Sequence, residues 1–69
     1  MRNYFRDYRK ASGLTQTQLA QRVGTTYVSI SRYEAGIRVP KIIMARKIAQ
    51  ALGCQVEDIW PVDNKANQE

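Results

Sequence analysis

Sixty-nine residues, 43% of them hydrophobic and with a formal charge of +5, suffice for one small domain and are too few to bury an active site beneath a lid. The chain has no histidine and one cysteine, Cys54, which excludes an internal disulfide and a zinc site; no catalysis, metal or other cofactor is expected. No apolar run is long enough to span a membrane and no signal peptide stands at the start, so a cytoplasmic protein with no membrane partner is expected.

The charge is unevenly spread. Residues 1–47 hold ten Lys and Arg against Asp7 and Glu34, whereas residues 48–69 hold Lys65 against four acids. A polyanion would therefore meet the first two thirds of the chain.

Taken in order, residues 2–12 have the spacing of a first helix, with Phe5, Tyr8, Arg9 and Ser12 on one side and Arg2, Arg6 and Lys10 largely on the other; Gly13 ends it. Leu14 is expected in the core. Thr15 caps the second helix, and Gln18 completes a capping box of the Ser/Thr-x-x-Glu/Gln form. Within residues 16–34, QTQLAQRVGTTYVSISRYE, Leu19 and Val23 share one helical face with Ala20 beside them. Gly24 supplies the left-handed position that stops this helix. Thr25 or Thr26 can cap the third helix by accepting from its free amides. There Ile30, Tyr33 and Glu34 share a face, Val28, Ser31, Arg32 and Ala35 point away, and Tyr27 lies on the flank.

Gly36 ends the third helix, and the loop Ile37-Arg38-Val39-Pro40 leads to a fourth over residues 41–52, whose Ile42, Ala45, Ile48, Ala49 and Leu52 form a continuous apolar face. Gly53 closes it. Cys54, just after that helix end, suits a partly buried packing role. Val56, Ile59 and Trp60 form a last short helix that folds back over the first and fourth, and Pro61 stops it. The remaining DNKANQE is polar, without the alternation of a strand, and is expected to be mobile.

A small Ala20 where two helices approach, Gly24 four residues on and Ile30 six after that, flanked by Thr15-Gln16 and Glu34-Ala35-Gly36, resemble the helix-turn-helix of lambda-repressor-like (Cro and phage repressor type) regulators. The resemblance runs from about Phe5 to Trp60. It implies an all-α, compact five-helix DNA-binding domain over residues 1–60, with residues 61–69 a polar tail. It also implies an ion pair between Arg9 and Glu34, a DNA-backbone contact by Gln16 at the amino end of the second helix, and phosphate binding by Arg38 and Lys41. Lys41 stands where the family prefers a serine cap, so the fourth helix is expected to start differently. Ile43 occupies a site usually given to a polar residue, and is either an isolated exposed side chain or part of a contact surface.

On this resemblance the chain is expected to be a sequence-specific transcriptional regulator, a repressor that binds a palindromic operator in double-stranded DNA as a homodimer. Its third helix would lie in the major groove. Tyr27, Val28, Ser31 and Arg32 are the expected base readers; Gln16, Thr26, Ser29, Arg38 and Lys41 the expected backbone contacts. A second reading from another class is an antitoxin or other protein-interaction module of repressor-like fold, with a toxin as partner, because fold alone does not fix function.

Overall fold

The computed structural model describes residues 3–61 and folds them into α1 (Phe5–Ala11), α2 (Gln16–Val23), α3 (Tyr27–Ala35), α4 (Ile42–Leu52) and α5 (Val56–Ile59), with no strand among the described residues. Each helix sends one side chain to the centre: Phe5, Leu19, Ile30, Ile48 and Ile59 are all 0% exposed. Helices this short are marginal in isolation, so their stability comes from this shared burial. Ala20, Val23, Tyr33, Ala45, Ala49, Leu52 and Trp60 complete the inner shell.

Capping sets the boundaries. Thr15 accepts from the Gln18 amide at 3.0 Å while the Gln18 side chain accepts from the Thr15 amide at 2.9 Å, so the expected capping box closes α2 at its start. Gly24 ends it with φ +79°. No heavy atom lies within 4 Å of where its Cβ would stand, so only the backbone conformation demands glycine there. Of the two candidate caps for α3, Thr26 is the one used: its hydroxyl accepts from the Ser29 amide at 3.1 Å. Lys41 precedes α4 without a side-chain cap.

Several expectations are corrected. The first helix begins at Phe5 rather than at residue 2, because the Asn3 side chain accepts the Phe5 amide at 3.1 Å and donates to the Tyr33 carbonyl at 3.0 Å, holding the chain outside the helix. Arg2 lies outside the described residues, as does the tail beyond Pro61. Leu14 is half-buried, packed against the core rather than within it. Ile42 shares the apolar stripe of α4 by spacing yet is 58% exposed; as the first residue of the helix it overhangs the core, which begins one turn later at Ala45. Met44, on no predicted stripe, packs partly buried against that core.

The last turn closes the domain. The Tyr4 amide donates to the Ile59 carbonyl at 2.9 Å, and Phe5 meets Trp60 edge to face, ring centroids 5.9 Å apart at 72°, a favourable aromatic geometry. Trp60 itself caps α5 rather than extending it. Cys54 is half-buried, packed against the core. Burial, and then the nearby Asp58 carboxylate, push its thiol pKa up. The Tyr8 phenol is raised chiefly by Asp58, with burial and Cys54 adding to it.

Candidate nucleic-acid interface

The turn between α2 and α3 is set by Gly24 and Thr26, and it orients α3 so that Ile30 and Tyr33 are buried. The opposite side of the same helix must then face solvent. Tyr27 and Val28 are 53% and 51% exposed, Arg32 is exposed, and Ser31 is half-buried. An exposed valine gains nothing in water, whereas against thymine methyls it is useful. Arg32 sits one turn on from Val28 with no carboxylate partner among the described residues, so its guanidinium is available as a bidentate donor.

The expected backbone contacts are dispersed around this row. Thr26 and Ser29 form its amino end, joined hydroxyl to hydroxyl at 3.1 Å. Arg38 and Lys41 are exposed in the segment between α3 and α4.

Gln16 is differently placed from a free surface glutamine. Its side-chain amide donates to Glu34 Oε1. The other carboxylate oxygen, Oε2, accepts from Arg9 Nε at 3.2 Å and Nη2 at 3.0 Å, and Arg9 Nη1 donates to the Leu14 carbonyl at 2.9 Å. Arg9 and Glu34 side chains are only 12% and 8% exposed. One carboxylate thus fastens α1, the amino end of α2 and the carboxyl end of α3 together. A glutamine amide has two protons, so Gln16 keeps a second one after serving Glu34. Sequence reasoning missed the Gln16–Glu34 bond, a tertiary contact that no local pattern reports.

Between α3 and α4 the surface changes character. Ile37, Val39, Ile42 and Ile43 are 76%, 51%, 58% and 69% exposed, so Ile43 is one of four exposed aliphatic side chains within residues 37–43.

Five helices whose second and third form a capped helix-turn-helix, with a polar row turned outward, define a DNA-binding domain. The helix-turn-helix family model matches residues 5–59, and the chain belongs to that family, the lambda-repressor-like helix-turn-helix transcriptional regulators. It is 47% identical over 64 residues to an uncharacterised HTH-type transcriptional regulator of Methanothermobacter thermautotrophicus, covering 91% of this chain and 93% of the relative. A second such regulator, from Archaeoglobus fulgidus, is 34% identical over 65 residues, covering 94% and 93%. The cryptic phage CTXphi transcriptional repressor RstR of Vibrio cholerae is 36% identical over 64 residues, covering 88% of this chain and 55% of the repressor. The chain is therefore a transcriptional regulator with a helix-turn-helix DNA-binding domain. No helix among the described residues is long and apolar enough to cross a membrane.

Proposed function

We propose that this protein is a cytoplasmic repressor that binds a palindromic operator as a homodimer, each copy laying α3 in the major groove. The observation that carries the reading is the two-sidedness of α3: Ile30 and Tyr33 buried on one side, Tyr27, Val28 and Arg32 exposed on the other. Tyr27, Val28, Ser31 and Arg32 read base edges; Gln16, Thr26, Ser29, Arg38 and Lys41 hold phosphates. Phosphate contacts fix register, and base contacts specify sequence.

Homodimerisation is supported by Ile37, Val39, Ile42 and Ile43, whose exposure costs hydration unless another surface covers them. One recognition helix reads only a few base pairs, and a second copy doubles the site, with half-sites about one helical turn apart. Repression is favoured by the similarity to the phage repressor RstR.

Selection of bound duplexes from a random DNA pool tests the reading. Recovery of a sequence with two inverted half-sites, bound by two copies in sedimentation, is the expected result. Enrichment of a single half-site bound by one copy removes the homodimer, and failure to enrich any sequence removes the specific regulator.

A further inference from the structure

Arg6 lies on the outer side of α1 and has no part in the core or in the Arg9–Glu34 pair. It nevertheless lines a recess together with Arg9, Gln16, Ser31, Glu34 and Ala35. The recess opens between α1, the amino end of α2 and the side of α3 that carries Ser31. Two of its walls, Gln16 and Ser31, are thus residues placed against DNA under the reading above, on which this inference rests.

The charge of the recess follows from its hydrogen bonds. Glu34 would repel an anion, but Oε2 is gripped by Arg9 and Oε1 by Gln16, so each oxygen holds a donor and the charge is matched by Arg9. Arg6 has no carboxylate within ion-pair distance among the described residues. Asp7, the next acid along α1, does not line the recess. The lining therefore keeps one unbalanced positive charge, on a guanidinium whose planar fork suits two phosphate oxygens. The second amide proton of Gln16 and the Ser31 hydroxyl stand on the opposite walls as neutral donors.

We infer that Arg6 is a DNA-backbone residue: this recess seats one phosphate of the operator, held by the Arg6 guanidinium with Gln16 beside it. The first helix then takes part in binding along with the helix-turn-helix. The Glu34 carboxylate serves the seat indirectly, as a positioning group that turns Gln16 and withdraws Arg9 from competition.

The test is the salt dependence of affinity for the selected duplex and for a duplex of scrambled sequence. Each neutralised phosphate contributes a slope of about 0.9 in log affinity against log salt, so Arg6→Gln should reduce the slope by about that amount for each copy bound. Between 50 and 200 mM salt the variant should lose about 3.5-fold less affinity per bound copy than the parent, or about 12-fold less for two copies, by the same slope. The reduction should appear on both duplexes, with the preference between them unchanged, and Arg6→Lys should restore the slope because it retains the charge. Arg22→Gln, on the exposed surface of α2 away from the recess, should leave the slope unaltered. An Arg6→Gln slope equal to the parent's, with binding otherwise intact, overturns the inference and leaves the regulator standing. A parent protein that binds neither duplex removes the functional reading itself.

Discussion

Gln16 and Glu34, 18 residues apart, share a hydrogen bond that joins the start of the helix-turn-helix to its end. Because Arg9 holds the other oxygen of the same carboxylate, the placement of α3 depends on a polar junction as well as on the core beneath it. Buried polar junctions of this kind are favourable only while every member is satisfied.

Glu34→Gln should therefore be costly. With the pair only 12% and 8% exposed, removing the carboxylate leaves the Arg9 charge in a poorly hydrated site, and breaking such a pair costs about 3 to 5 kcal/mol. Urea denaturation measures the loss, and an unchanged midpoint would show that the pair adds nothing to stability.

Gly24→Ala isolates backbone strain. With φ at +79° and open space where the methyl would go, the penalty is conformational and should be about 1 to 2 kcal/mol. A far larger loss in the melting curve would mean that the α2–α3 turn has shifted.

Reading and holding separate in a pair of variants. Arg32→Ala should abolish discrimination worth about 1 to 3 kcal/mol at one base pair and leave the others intact. Gln16→Ala should weaken binding to every sequence about equally with little change in salt dependence, because the side chain is neutral. Affinities over a panel of single-base operator variants distinguish them; uniform weakening by Arg32→Ala would transfer that residue to the backbone contacts.

Ile43→Glu tests the aliphatic segment. At 69% exposure the side chain contributes little to the monomer, so the fold should persist while cooperative occupancy of two half-sites is lost. Sedimentation of the saturated complex reads the stoichiometry, and two copies bound as tightly as by the parent would place the interface elsewhere.

Alkaline pH should weaken the fold through Cys54. Its folded-state pKa is raised above the ordinary 9.0, by burial and then by Asp58. Below the unfolded value both states keep the proton and the full stability stands; above it the unfolded chain loses its proton first, so stability falls until pH passes the raised folded value. Urea midpoints of the parent and Cys54→Ser should converge or cross as pH rises from about 7 to about 10. A difference that stays constant over that window contradicts the assignment.

Much of the architecture was legible because it is locally encoded. Thr15 with Gln18, and Gly24 followed by Thr26, declare helix ends within a few residues. What could not be read from sequence is set by where helices stop relative to their neighbours. Ile42 continues the apolar stripe of α4, yet at the first residue of that helix it stays exposed. Asn3 stands one residue before the Tyr4 cap position of α1, and its bond to the distant Tyr33 carbonyl is a tertiary contact that the local pattern does not report. The Gln16–Glu34 bond and the recess beside Arg6 exist only once three helices are assembled.

The junction of Tyr4 with Ile59 and of Phe5 with Trp60 also fixes an order of events during synthesis. The first of these five helices has its aromatic partner at the far end of the domain, so the Phe5 ring lacks its Trp60 contact until residue 60 has emerged. Contacts so distant along the chain form late, because the intervening loop must be closed first. A nascent chain shorter than this can hold a helix-turn-helix in outline, with α1 tied to α3 through Arg9 and Glu34, while the aromatic closure is still missing. Closure of the domain thus arrives near the end of its translation.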